Sequence, residues 1–207
     1  MSTTEIETRP GRRPDLPQVL EIYNHYVERS PVTFEVSPVR LVDRVGWFRE
    51  HSTGGRHRLW VAVDGHDRVL GWATTSPFRP RAAYATTVEA SVYCRPESVG
   101  RGIGSRLYGA LFASIQGEDI ERIVAGVTVP NPASVRLHRR FGFRRVGTFH
   151  RVGRKLGRYW DVTWFERSLR DSALRTNPAP VGSRRVPGEP RGRIRHETGR
   201  RTQVPAA

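Results

Sequence analysis

The sequence predicts an α/β domain built on a mixed sheet, and three observations predict it. Two β-rich runs, RLWVAVD and VLGWATTS, flank Gly65-His66-Asp67, a hairpin pattern. Downstream, β-rich and helical segments alternate, which requires crossover connections between strands. Two final β-rich runs then close the chain's apolar part as a second hairpin.

Taken in order, Asp15 reads as an N-cap before LPQVLEIYNHYVERS, whose Leu16, Val19, Leu20, Ile22, Tyr23 and Val27 form an apolar helical face. Pro38 to Glu50 reads as a second helix with Leu41, Val45 and Phe48 on one side. The hairpin follows, then a strand from Thr87 to Cys94. Gly104 to Gln116 is helical, with Leu107, Leu111 and Ile115 at four-residue spacing. A strand over Arg122–Val129, a short helix over Pro132–Arg140, and strands over Arg144–Val152 and Tyr159–Ser168 complete the pattern. The expected order is therefore two helices first and strands afterwards.

The domain is expected to span residues 1–170 of the 207. Residues 171–207 contain no aromatic residue, five Pro, four Gly and eight Arg against three acidic residues, and read as a disordered tail carrying +5 of the charge. The whole chain has 35 basic and 20 acidic residues, a formal charge of +15, and its only Lys is Lys155. Such a balance raises a nucleic-acid reading, although an all-Arg bias also follows from GC-rich codons. No run of about 18 apolar residues occurs, so no membrane span is expected. MSTTEIETRPGRRP has no apolar core of a secretory signal. One cysteine, Cys94, excludes an internal disulfide and a multi-cysteine zinc site. His25, His51, His57, His66, His150 and His196 show no metal-ligand spacing, so no metal is expected, and the protein reads as soluble and cytoplasmic.

The sharpest local feature is Val99-Gly100-Arg101-Gly102-Ile103-Gly104-Ser105, between a strand and a helix. A glycine turn at a helix N-terminus offers unpaired N–H groups to an anion, and the helix dipole adds to the attraction. It is neither a Walker A loop, since no Gly-Lys-Ser/Thr follows, nor G-x-G-x-x-G, since Ser105 takes the sixth place. One strand later comes Asn131-Pro132-Ala133-Ser134-Val135-Arg136-Leu137-His138-Arg139-Arg140-Phe141-Gly142-Phe143.

Together these motifs resemble the GCN5-related N-acetyltransferase (GNAT) superfamily, over about residues 5–169. Val99 stands where Gln or Arg is usual, Gly100 where a basic residue is common, and His138 replaces the usual Tyr. Arg81-Ala82-Ala83-Tyr84, Thr87-Val88-Glu89-Ala90-Ser91-Val92-Tyr93, Ile22-Tyr23-Asn24-His25-Tyr26-Val27 and Gly157-Arg158-Tyr159-Trp160-Asp161-Val162 are similar to the branch that acetylates phosphinothricin, methionine sulfoximine and methionine sulfone. The resemblance implies a GNAT fold: a mostly antiparallel mixed sheet flanked by helices, with a splayed parallel pair at the acetyl-CoA site. It also implies acetyl-CoA as co-substrate, a small-molecule amine as acceptor, and a homodimer.

Acetyl transfer to an amine requires a held donor, a deprotonated nucleophile, oxyanion donors and a proton for the thiolate. The resemblance assigns the donor to residues 99–105, to Asn131 and Ser134, and to backbone near Val92, Tyr93 and Cys94. Glu89, on an otherwise apolar strand, is the candidate general base; a solvent-facing strand glutamate is the bland alternative. His138 is the second candidate for proton transfer, set against a histidine packed beside Phe141 and Phe143. Arg79 and Arg81 can pair with acidic oxygens of the acceptor, with Phe34, Tyr84 and Tyr93 as pocket walls and surface-exposed Arg as the alternative. Cys94 has no His/Asp arrangement that supports a covalent acetyl-enzyme and reads as a small buried residue. The function expected is acetyl-CoA-dependent N-acetylation of a small amino-acid-like amine. A nucleic-acid-binding protein on the same scaffold, or another amine acceptor, stands as the alternative.

Overall fold

The first element of the chain is a strand, which the sequence pattern did not announce. In the computed structural model, which describes residues 5–51 and 53–169, β1 (Glu7–Pro10) precedes α1 (Leu16–Arg29) and α2 (Leu41–Arg49). The four residues ETRP carry no apolar alternation; pairing with β2 (Arg58–Val63) through Arg9↔Val61 makes them a strand. Asp15 does not cap α1 with its side chain. Its carboxylate is taken by the buried Arg9 guanidinium at 2.7 and 2.9 Å and by the Arg12 N–H at 2.6 Å.

Leu16, Val19, Leu20, Ile22 and Val27 of α1 are buried as the periodicity requires, and Tyr23 is half-buried. α2 starts at Leu41 rather than Pro38, because the Asn24 side chain grips both the N–H and the C=O of Val39 at 2.9 Å and holds that residue out of the helix. Leu41 is exposed, and Trp47 and Phe48 are the α2 residues that reach the core beneath.

β2 and β3 (Val69–Pro77) form the expected hairpin. Its turn is fixed by Asp64 Oδ1, which accepts the N–H groups of His66 and Arg68 at 3.0 and 3.1 Å, while Asp67 takes the left-handed conformation. β4 (Thr87–Cys94), α3 (Ile103–Ser114), β5 (Arg122–Val129), α4 (Pro132–Arg140), β6 (Arg144–Lys155) and β7 (Arg158–Ser168) follow. The strand order is β1-β2-β3-β4-β5-β7-β6, and every pairing is antiparallel except β4–β5. This is the mixed α/β architecture the motifs implied.

Side chains alternate across β4 and separate two cores. Val88 and Ala90 join Leu107, Tyr108 and Leu111 of α3, and Ile115 just past its end, on one face. Tyr93 packs on the other face with Val19 and Ile22 of α1, Trp72 of β3, and Trp47 and Phe48 of α2. The proposed tail, residues 171–207, lies outside the described residues.

Candidate active site

β4 and β5 pair only over Thr87–Glu89 and Arg122–Val124. β4 runs on to Cys94 and β5 to Val129, so the sheet parts just past Glu89 and leaves one edge of Ala90–Cys94 unpaired. A cavity of about 840 Å³ occupies the opening. It is walled by the splayed strands, by the glycine turn at the start of α3 and by α4.

The turn is held open by two glycines. Gly100 and Gly102 have φ of +87° and +77°, which an L-residue with a side chain adopts only under strain. α3 therefore begins with unpaired donors: among the described residues, the N–H groups of Gly100, Gly102 and Ile103 meet no acceptor. Gly104 lies so near α4 that an added Cβ would stand 3.2 Å from a Leu137 methyl. Free N–H groups at the positive end of a helix match a phosphate-class anion. The open edge of β4 can accept an extended amide-bearing arm as an added strand. These two features together fit a nucleotide thioester such as acetyl-CoA.

Val92, Tyr93, Cys94, Val99, Gly100, Gly102, Ile103, Gly104, Ser105, Asn131 and Ser134 all line this cavity. Arg101 does not; it is exposed. Asn131 has a further task, since its Oδ1 accepts the Ser134 N–H at 3.1 Å and caps α4. Cys94 is partly buried, and burial pushes its thiol up to about 11 against the pull of the Gly104 N–H. That protonated thiol is no nucleophile.

His138 also lines the cavity and is only 3 % exposed. Its Nδ1 lies 2.8 Å from the Ser134 carbonyl oxygen, which obliges that nitrogen to donate. Nε2 is then an acceptor, 3.1 Å from the Tyr108 hydroxyl. Burial lowers the His138 pKa and raises that of Tyr108, so each is held in its neutral form. The ring also meets Phe143 edge-on at 5.0 Å, so the packed-histidine geometry and the site position coexist. Tyr108 was missed by the sequence reading, because an aromatic residue on the buried stripe of a helix looks like core.

Glu89 is the last β4 residue paired to β5. It is half-buried on the face shared with Tyr93, opposite Ser76 of β3. Burial raises its pKa, and the Arg79 charge opposes that rise. Ser76 in turn is 3.2 Å from Nε2 of the buried His51.

Of the residues expected to surround the acceptor, Glu89 included, Tyr93 alone lines the cavity. Arg79 and Arg81 are exposed, and Arg79 lies over the Phe78 ring at 4.5 Å. Tyr84 is exposed and edge-on to Phe78 at 5.7 Å. Phe34 lies across Gly153 of β6, where a Cβ would collide with its ring. Only Tyr93 touches both regions; its ring stacks on Trp72 at 4.7 Å. The described residues contain no cluster of three or more His, Cys, Asp or Glu able to hold a metal, and no helix long and apolar enough to cross a membrane.

Comparison with known proteins agrees with this geometry. The model of the acetyltransferase (GNAT) family matches residues 19–143. A Streptomyces coelicolor protein named phosphinothricin N-acetyltransferase is 51 % identical over 168 residues, covering 81 % of this chain and 98 % of its own length. An L-methionine sulfoximine/L-methionine sulfone acetyltransferase of Pseudomonas paraeruginosa is 37 % identical over 155 residues, covering 75 % of this chain and 90 % of its own. The crystal structure of a GNAT phosphinothricin acetyltransferase from Sinorhizobium meliloti in complex with acetyl-CoA superposes with a TM-score of 0.76 at 30 % identity, covering 86 % of this chain and 96 % of that one. A match of that extent, on a sheet whose single parallel pair opens beside a glycine cradle, makes the chain a member of the GNAT family of acetyl-CoA-dependent N-acetyltransferases.

Proposed function

We propose that this acetyltransferase acts on the α-amino group of a small amino acid of the phosphinothricin, methionine sulfoximine or methionine sulfone type. The observation that carries the proposal is the position of Glu89, a carboxylate with a raised pKa at the point where β4 parts from β5. Acetyl-CoA, when bound, supplies an acetyl thioester. Glu89 takes a proton from the acceptor's ammonium group, directly or through water, and frees the nitrogen pair for attack. Backbone N–H groups on the open edge of Val92–Cys94 stabilise the charge that develops on the carbonyl oxygen. As the N–C bond forms and the C–S bond breaks, the nitrogen gives up its second proton and the departing sulfur takes one up, the Tyr108 hydroxyl that faces His138 Nε2 being the one O–H donor of that pair. Val99–Ser105, Asn131 and Ser134 hold the donor, while Arg79, Arg81, Phe34, Tyr84 and Tyr93 border the acceptor. Acetylation removes the amine's positive charge, which would confer resistance to a toxic amino-acid analogue, and the need for acetyl-CoA supports a cytoplasmic setting.

The same reading includes a homodimer. β6 is an edge strand, and Val146, Phe149, Val152 and Leu156 on it and its turn are each more than half exposed. Unpaired backbone edged by apolar side chains is a surface that a second copy can cover.

Release of free CoA thiol from acetyl-CoA, followed over a panel of amines, tests the activity. Saturable release with phosphinothricin or methionine sulfoximine is expected. Release with no acceptor in the panel would refute the assignment.

A further inference from the structure

On the α1–α2 side of the sheet lies a guanidinium that no carboxylate meets. Arg44, in the middle of α2, stacks on Trp47 with its Cζ 3.7 Å from the ring centroid, and lies 4.9 Å from that of Tyr23. Its Nε is buried without a hydrogen-bond partner. Neither terminal nitrogen donates to any described residue. Other well-buried Arg side chains behave differently. Arg9 holds Asp15 through two bonds at 2.7 and 2.9 Å, and Arg95 holds Glu21 through two at 2.8 Å.

Burial lowers the Arg44 pKa, and among the described residues the carboxylate whose field favours its cation is the exposed Glu35. Removing a charge from water is costly unless it is paired, and stacking on an aromatic ring returns only part of that cost. The planar fork of donors is left without an acceptor, and its surroundings fix its orientation.

The surroundings also connect it to the reaction site. Tyr93, on the same face of β4 as Glu89 and edge-on to Tyr23 at 5.3 Å, feels both the Arg44 cation and the Glu89 carboxylate. Beside it, the Tyr23 and Thr33 hydroxyls share a hydrogen bond of 2.8 Å, and Thr33 Oγ1 also accepts the Glu35 N–H at 3.3 Å, so it is the Tyr23 hydroxyl that keeps a lone pair or proton for a ligand. A cation and hydroxyl groups on the Glu89 face of the sheet suit a molecule with an ammonium group at one point and an acidic oxygen at another.

We infer that Arg44 anchors an acidic oxygen of the amino-acid acceptor and helps determine which acceptors bind. The inference rests on the acceptor class proposed above. The oxygen belongs either to the α-carboxylate, common to all these acceptors, or to the distal group, which is anionic in phosphinothricin and neutral in methionine sulfone.

Calorimetric titration of the full chain with phosphinothricin and with methionine sulfone, alongside kcat and KM, tests it. Wild-type protein is expected to bind both saturably. Arg44→Met should weaken binding at least tenfold with the KM for acetyl-CoA unchanged: for both ligands if the α-carboxylate is held, and chiefly for phosphinothricin if the distal oxygen is. Arg44→Lys keeps the cation but not the fork and should recover part of the loss; it also serves if the Met variant fails to fold. Wild-type affinity in folded variants, or no binding of either ligand by the wild type, would overturn the anchor. Binding that depends on Arg44 without release of CoA thiol would refute the proposed activity and leave the anchor standing. Thiol release with an unchanged acceptor KM in Arg44→Met would do the reverse.

Discussion

The chemistry proposed for Glu89 depends on two opposed influences on one carboxyl group. Burial raises its pKa, and the charge of Arg79 pulls it back. Glu89→Gln should lower kcat by about 10²- to 10⁴-fold, the usual worth of a general base, at unchanged KM for acetyl-CoA. Because the base must be ionised, kcat/KM should fall as pH drops through the Glu89 pKa. Arg79→Gln removes the charge that favours the carboxylate, so this acid limb should move to higher pH; a limb that stays in place would show that Arg79 does not act on Glu89. His138 carries a stability consequence of its own. Its folded pKa lies below the ordinary value of 6.5 because it is buried. The stability it contributes is therefore complete above the unfolded pKa and is lost as pH falls from there toward the folded one. Urea midpoints measured between about pH 7 and about pH 5 should fall less steeply in His138→Gln than in the wild type. His51 and His57, whose pKa values are also lowered, remain to supply the rest of the slope.

Among the elements, the glycine turn and the first strand show how differently local sequence can specify structure. The turn was legible because Gly100 and Gly102 satisfy a backbone requirement of their own, a positive φ. Gly102→Ala meets open space, so its cost is conformational, roughly 1–2 kcal/mol. Relaxation of the turn should raise the KM for acetyl-CoA with little change in kcat, which steady-state kinetics would check. β1 was not legible, because Glu7–Pro10 becomes a strand only when β2 is beside it. The Arg9–Asp15 pair secures that strand to the start of α1, with side chains 9 % and 7 % exposed. Burial opposes ionisation of Asp15, but Arg9 and the Arg12 N–H hold its pKa below the ordinary value of 3.8. This stability is present above that value and is lost as pH falls through the folded pKa. Asp15→Asn should cost about 3 kcal/mol by leaving Arg9 poorly paired, read as a lower denaturation midpoint at neutral pH.

For the whole molecule, the question is what the many Arg residues do. Within the described residues, a good part of them are structural. Arg9, Arg56, Arg58, Arg68, Arg95 and Arg144 pair with carboxylates, while Arg44, Arg151, Arg158 and Arg167 lie over aromatic rings. An Arg-rich chain thus serves an acetyltransferase fold, and the nucleic-acid reading is not favoured. Removal of residues 171–207 should leave the thermal midpoint and kcat unchanged, as measured by calorimetry and thiol release. Sedimentation should show a dimer that Phe149→Glu weakens.

The sequence by itself determined the α/β class, nearly every strand and helix and the glycine cradle, which depend on apolar periodicity and on backbone conformations that neighbouring residues dictate; the family was legible through the resemblance of its motifs. Only the tertiary structure decided that β4 and β5 part just past Glu89, that Tyr108 meets His138, and that Arg44 stands over Trp47 without an anion. Each joins residues distant along the chain. Burial and pairing depend on what the other segments bring near, and no local pattern encodes that.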